Sequence, residues 1–163
     1  MNRFSRNLRY WIPALLWLAV IVVESLWLSS NVTGGWLRYM TFHVFRIRIS
    51  PIAFDRLHHL MRKGGHVAGY GILCVLLFSS WYHTLFAQPA KQLRLRCAGL
   101  ALGMTLVTAM LDEWHQSFDP ARTASIRDVG LDVTGGIIFL AIALFVFKLW
   151  RTATTEQLGT VSA

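Results

Sequence analysis

Apolar stretches alternate with short polar segments along the whole chain. Four of them lie at about residues 10–30, 62–86, 96–116 and 128–150. A helix rises about 1.5 Å per residue and the hydrocarbon core of a bilayer is about 30 Å thick, so about 20 apolar residues can cross it. The pattern therefore predicts an all-α membrane protein with four transmembrane helices in one small bundle, formed by residues 1–151.

The segment before the second apolar stretch has a different pattern. From Asn31 to Ile49, aromatic residues alternate with arginines, which is typical of an amphipathic segment at a membrane interface. Gly34 and Gly35 predict that this segment is a loop. Ser50-Pro51 then predicts the N-cap and first residue of the helix that carries the second apolar stretch.

The fourth helix has predicted boundaries at both ends. Ser125 and Asp128 are three residues apart, as in a capping box at the start of a helix. After Arg151, residues 152–163 are rich in threonine and are predicted to form a disordered tail.

The composition supports a membrane protein. Of the 163 residues, 55% are hydrophobic and only 15% are charged, whereas a soluble domain is about a quarter charged. The net charge is +8, but the basic residues flank apolar stretches and no nucleic-acid-binding motif is present, so nucleic acid is excluded as a partner. Cys74 and Cys97 lie in or beside apolar stretches and predict neither a disulfide framework nor a metal pair.

An even number of spans places both chain ends on one side of the membrane. Eight of the 16 Lys and Arg residues fall on that side and eight on the other, so their count does not set the orientation. Of the eight acidic residues, only Glu156 lies on the terminal side. Because the basic residues there mostly lack carboxylates to pair with, we expect cytoplasmic termini and an outward-facing polar cluster.

That polar cluster is the stretch from Asp112 to Arg122. It directly follows fifteen uncharged residues, Cys97 to Leu111, which span only about 22 Å as a helix. Asp112 and Glu113 have short side chains and should therefore lie near or just inside the membrane boundary. Ionisable residues at that depth face protein or a water-filled cavity and commonly have a function.

All four predicted helices carry polar residues at this level. On the second helix, spacings of three and four residues place His59, Lys63, His66 and Tyr70 on one face. Glycines at positions 64, 65, 69 and 71 predict that another helix approaches closely. The helices together predict a pocket with acid–base candidates Glu113, His115 and His66 and with ligand-binding residues Glu24, Lys63, Tyr70, Asp112, Gln116, Arg122, Asp128 and Asp132.

Several of these residues also have a structural interpretation. Glu113 could act as a general acid or base with His115 or His66, or it could form a salt bridge with Lys63 or Arg122. Arg122 could bind a phosphate or carboxylate with both arms of its guanidinium, or it could cap the third helix or pair with Asp119. Lys63 and His66 could bind the same anion. Alternatively, Lys63 could neutralise Glu113 and His66 could form a hydrogen bond with Tyr70.

The acidic residues outside the third helix are open to the same choice. Asp128 fits either a capping box or the pocket. Asp132 lies one turn deeper, where capping does not explain it, so it indicates a polar network or a metal ligand. Glu24 either joins that network or reaches the interface. No compact metal-binding motif such as HExxH is present, so we expect no metal and no other cofactor.

These residues resemble those of the VanZ-like family of bacterial membrane proteins. The resemblance covers roughly residues 15–147, and its most specific part is the Asp-Glu-x-His-Gln-x-Phe-x-Pro-x-Arg motif. Two positions depart from the family pattern: Gly69 stands where many relatives carry an acid, and Asp132 where others carry Asn. The matching residues are Arg62-Lys63-Gly64-Gly65-His66, Tyr70, Asp112-Glu113-Trp114-His115-Gln116, Phe118, Pro120, Arg122, Asp128-Val129, Asp132 and Gly135.

The resemblance implies a multi-pass protein of the bacterial cytoplasmic (inner) membrane, connected with glycopeptide (teicoplanin) resistance. We expect its pocket to recognise or modify an anionic ligand that is lipid-linked or related to peptidoglycan. Two alternatives stay open. One is a non-catalytic accessory or scaffold protein whose polar residues only fix helix packing. The other is a small proton-coupled carrier with Glu24, Asp132 and His66 as its relay.

Overall fold

The structure, a computed structural model, is entirely helical over the residues with assigned secondary structure. It describes residues 3–27, 30–47, 49–85, 90–118 and 125–161, with side chains described at 8–26, 33–47, 49–85, 92–118 and 125–148. The five α-helices are α1 (Arg3–Trp27), α2 (Ser30–Tyr39), α3 (Pro51–Thr84), α4 (Ala90–Gln116) and α5 (Ile126–Val161).

Four of these helices are long and apolar enough to cross a membrane, as predicted. Their apolar spans are Leu8–Leu26, Pro51–Thr84, Gln92–Gln116 and Ile126–Lys148. With 34 residues, α3 is about 51 Å long and exceeds the hydrocarbon thickness. Its first turns therefore extend the bundle at the end where the polar residues gather.

The predicted start of α3 is confirmed. The Ser50 hydroxyl accepts a hydrogen bond from the Ala53 amide at 3.3 Å, and Pro51 occupies the first turn. Proline is suited to this position because the first amides of a helix have no partner within the helix.

The loop predicted from Asn31 to Ile49 is wrong over most of its length. Residues 30–39 form α2, and Met40–Val44 continue as one turn of π-helix. Gly34 and Gly35 do not break α2, because a glycine costs a helix only about 1 kcal/mol and packing can offset that cost. Gly34 is useful here because it lets the His58 ring approach to 3.3 Å from the position of an added Cβ.

The disordered tail predicted from residue 152 is also not found over the residues that the structure describes. Helix α5 continues to Val161. Extending an existing helix costs no new nucleation, and the tail includes good helix formers such as Ala153, Glu156 and Leu158.

The core forms where α3 packs against α1, α4 and α5. Its closest approach is to α5, because a Cβ at Gly135 would overlap the backbone carbonyl of Val67. On the α3 side, a Cβ at Gly71 would lie 2.5 Å from the Phe139 ring. The prediction that glycines of α3 admit a neighbouring helix is therefore confirmed at Gly71, whereas positions 64, 65 and 69 have open space.

Side chains fix the position of α1 along α3. The Trp17 indole donates to the Gly69 carbonyl at 2.8 Å, and the Ser80 hydroxyl donates to the Tyr10 carbonyl at 2.8 Å. These bonds are about three turns apart on α3, so they hold α1 antiparallel alongside α3. The C-terminal end of α1 thereby reaches the polar end of the bundle.

Candidate functional site

A carboxylate on α4 joins three helices at the polar end of the bundle. Asp112 accepts a hydrogen bond from the Tyr70 hydroxyl of α3 at 3.0 Å, and another from the Ser25 hydroxyl of α1. Tyr70 is 1% exposed, so its hydroxyl has a protein partner in place of water, as a buried polar group requires. The predicted convergence of α1, α3 and α4 is present in these contacts.

A cavity of about 200 Å³ lies beside this carboxylate, between α1, α2, α3 and α4. Its wall combines apolar, hydroxyl, acidic and basic side chains, which suits a ligand with both polar and apolar parts. The lining residues are Ile21, Glu24, Ser25, Thr33, Leu37, His58, Met61, Arg62, Gly65, His66, Gly69, Tyr70 and Asp112.

The basic side chains of the cavity wall all come from α3. His58, Arg62 and His66 line it and are half-buried. The His58 ring is held by α2, because its Nε2 atom lies 2.9 Å from the Thr33 hydroxyl oxygen. Helix α2 therefore forms one wall of the cavity and positions one of its three basic groups.

His66 also reaches the interior of the bundle. Its Nδ1 atom lies 3.6 Å from Oδ2 of Asp132 on α5. Asp132 is 1% exposed, and neither of its carboxylate oxygens has a hydrogen-bond partner among the described residues. The imidazole of His66 thus lies between the cavity and a buried carboxylate, which supports the predicted role of Asp132 in a polar network.

About one helical turn before His66 and Asp132, Lys63 of α3 and Asp128 of α5 form an ion pair outside the cavity. Lys63 donates to Asp128 at 2.8 Å, with the two side chains 38% and 30% exposed. Lys63 does not line the cavity, and it pairs with Asp128 rather than with Glu113. The predicted grouping of both residues with the pocket is therefore not seen in the geometry.

Glu113 connects the end of α4 to the start of α5. Its Oε2 atom accepts a hydrogen bond from the Ser125 amide at 2.8 Å, and its side chain is only 8% exposed. The Ser125 hydroxyl in turn accepts from the Arg127 amide at 3.2 Å. In a capping box, Asp128 would accept from the Ser125 amide. Here Glu113 supplies that acceptor from another helix, and Asp128 is bonded to Lys63.

The remaining predicted residues lie away from the cavity. Gln116 is buried, and its side-chain nitrogen has no hydrogen-bond partner among the described residues. His115 is exposed and does not line the cavity. Arg122 lies outside the described residues.

Two cavity residues, His58 and Arg62, were not among the predicted site residues. The sequence does contain a signal for them, since His58, Arg62, His66 and Tyr70 follow one another at intervals of four. The predicted stripe instead began at His59, which is exposed. Intervals of four keep side chains on one helix face, and these four side chains all line the cavity.

No group of three or more His, Cys, Asp or Glu side chains is placed to hold a metal ion in the part of the chain that the structure describes. The side chains of the cavity wall can themselves form hydrogen bonds and ion pairs and can exchange protons.

Comparison with known proteins identifies one family. The model of the VanZ/LLP1 family matches residues 10–148, a range that contains the whole cavity wall and every polar contact described above. No curated protein and no solved structure matches the chain.

Proposed function

Because the chain belongs to the VanZ/LLP1 family, we propose that it is a protein of the bacterial cell envelope whose cavity recognises an anionic ligand. The ligand is lipid-linked or related to peptidoglycan, in keeping with a role in glycopeptide (teicoplanin) resistance. The observation that carries this proposal is the row of basic side chains on α3, His58, Arg62 and His66, in the wall of one cavity near the end of the membrane spans.

The chemistry of the wall suits a phosphate or carboxylate that is attached to an apolar group. A guanidinium such as that of Arg62 binds these anions with two parallel hydrogen bonds, and His58 adds a second donor beside it. Ile21, Leu37 and Met61 supply apolar contacts in the same wall. A headgroup at the membrane boundary presents both parts at once, whereas a freely soluble anion would not use the apolar contacts.

Recognition is favoured over modification of this ligand. Glu113 accepts a hydrogen bond from the Ser125 amide and lies outside the cavity wall. His115 is exposed. Of the three predicted acid–base residues, only His66 faces the cavity. Among these three residues, His66 is therefore the one placed to exchange a proton with a bound ligand.

The proposed orientation places both termini in the cytoplasm of the bacterial inner membrane and the cavity outside. Its support is the charge distribution, since seven of the eight acidic residues precede the terminal-side Glu156 and lie toward the cavity end of the helices. Cysteine labelling of Ser117→Cys tests the side, because Ser117 is exposed and lies just beyond the α4 span at the cavity end. Labelling of intact cells supports the proposal, and labelling only after cell lysis contradicts it.

The ligand proposal is tested by replacing Arg62 with glutamine. The full chain is purified from bacterial membranes with its bound lipids, which are identified by mass spectrometry. We expect wild type to retain a phosphate-bearing or carboxylate-bearing lipid and Arg62→Gln to lose it. Arg127→Gln is the matched control, because Arg127 is exposed and does not line the cavity.

The same variants distinguish recognition from a scaffold role. A scaffold is favoured by the hydrogen bonds through which Asp112 joins α1 and α3 to α4. If Arg62→Gln keeps both its bound lipids and its protection against teicoplanin in a susceptible host, the recognition proposal is wrong. Equal lipid retention by wild type and both variants would also reject it.

A further inference from the structure

Asp132 is the most deeply buried carboxylate among the polar residues described above. It lies in the second turn of α5 and is 1% exposed. Both of its oxygens lack hydrogen-bond partners in the described part of the chain. An ionised carboxylate in apolar surroundings needs a partner, and without one it binds a proton instead. Its ion-pair partner in the described part of the chain is the His66 imidazole, which is cationic only when it carries an extra proton. Burial of this carboxylate therefore points to a bound proton, held either by Asp132 or by His66.

His66 provides the connection between this carboxylate and the outside. Its side chain is 30% exposed, lines the cavity and places Nδ1 3.6 Å from Oδ2 of Asp132. An imidazole can accept a proton on one nitrogen and release another from the second. We propose that His66 and Asp132 form a proton-binding pair, through which the cavity exchanges a proton with the buried carboxylate.

The exchange involves only N–H and O–H bonds. A proton from cavity water binds Nε2 of His66, and the proton on Nδ1 passes to Oδ2 of Asp132. The imidazole is again neutral, and the carboxylate has become a carboxylic acid. A separation of 3.6 Å exceeds the usual hydrogen-bond length, so the ring must approach by about half an ångström before transfer.

The surroundings of the pair are mainly acidic. The titratable groups behind the cavity come from α1, α3, α4 and α5 and are Glu24, Lys63, Tyr70, Asp112, Glu113 and Asp128. Arg62 and His58 add positive charge in the cavity wall itself, on the same side of α3 as His66. Lys63 is bonded to Asp128. Proton uptake by the pair would therefore reduce the negative charge behind the cavity and favour an anion in it. The pair binds its proton with or without the ligand proposed above.

The test is chemical labelling of the full chain in liposomes, without any added ligand. Dicyclohexylcarbodiimide, which is hydrophobic, adds to protonated carboxyl groups in apolar surroundings, and the modified residue is identified by mass spectrometry of peptides. We expect Asp132 to be labelled, with less labelling as the pH rises between about 5 and 8. A water-soluble cationic carbodiimide should not label it.

The role of His66 is tested with a matched pair of variants. In His66→Gln the carboxyl loses its neighbouring imidazole, so labelling should persist to a pH higher by about one unit or more. His59→Gln should label as wild type does, because His59 is exposed on the same helix.

Three results would overturn the inference. They are absence of label on Asp132 over the whole pH range, equal labelling by the water-soluble reagent, and identical labelling curves for wild type and His66→Gln. The wild-type measurements need no variant to fold. Failure of the ligand proposal leaves the labelling result unchanged, because that proposal is judged by the lipids lost in Arg62→Gln.

Discussion

Replacing Glu113 with alanine and with glutamine separates its hydrogen bond from its charge. Both variants lose the carboxylate, but glutamine keeps an oxygen that can accept from the Ser125 amide, which the wild-type side chain does at 2.8 Å. Alanine keeps no acceptor. If Glu113 serves chiefly to cap α5, Glu113→Ala should therefore be clearly less stable than Glu113→Gln.

The magnitudes follow from the loss of the acceptor and of the charge. Leaving the Ser125 amide without a partner costs about 1–3 kcal/mol of unfolding free energy. Losing a negative charge at the start of a helix costs about 0.3–1 kcal/mol. We expect a loss of about 2–3 kcal/mol for Glu113→Ala and under about 1 kcal/mol for Glu113→Gln. For a chain of this length the alanine variant should lower Tm by roughly 4–12 °C.

The assay is thermal unfolding of both variants and wild type in the same detergent, followed by circular dichroism. Equal destabilisation by alanine and glutamine would show that charge matters and the hydrogen bond does not. No destabilisation by alanine would refute the capping role. A Glu113→Gln protein that is stable but has lost its bound lipids would restore Glu113 as a residue of the functional site.

Two further substitutions test the packing and the polar junction. Gly135→Ala should destabilise the bundle by several kcal/mol, because its Cβ would overlap the Val67 carbonyl, whereas Gly130→Ala should be neutral or stabilising because nothing lies near its Cβ. Equal Tm values for these two variants would contradict the close crossing of α3 and α5. Tyr70→Phe removes the 3.0 Å hydrogen bond to Asp112 and should cost about 1–2 kcal/mol in a detergent unfolding titration; an unchanged midpoint would show that this bond contributes nothing.

Much of the fold follows from simple periodicity. The four spans, the Ser50-Pro51 start of α3 and the family were all predicted correctly, because lipid imposes strong requirements on length and polarity. Helix α2 was not predicted. Its two adjacent glycines favour a loop locally, and the contact between Gly34 and His58 that helps offset their cost lies between residues distant in sequence.

The sequence predicted where the candidate site lies along the length of the bundle, but not which side chains contact each other there. The end of each helix could be placed at that level from the sequence, but the partner of each side chain could not. Lys63 and Glu113 are both near the polar end, yet one bonds to Asp128 and the other to Ser125. Such choices depend on how each helix is rotated about its axis, and a rotation by one residue, about 100°, exchanges one partner for another.

The two sides of α3 differ in how much change they can tolerate. Toward α5, the Phe139 ring occupies the space beside Gly71, so a larger residue at position 71 would disturb the fold. Toward the cavity, Gly65 and Gly69 have no atom within 4 Å of an added Cβ. A single nucleotide change could therefore introduce a new side chain, charged or apolar, into the cavity while the bundle stays assembled. Homologous proteins could in this way acquire different ligands without acquiring a different fold.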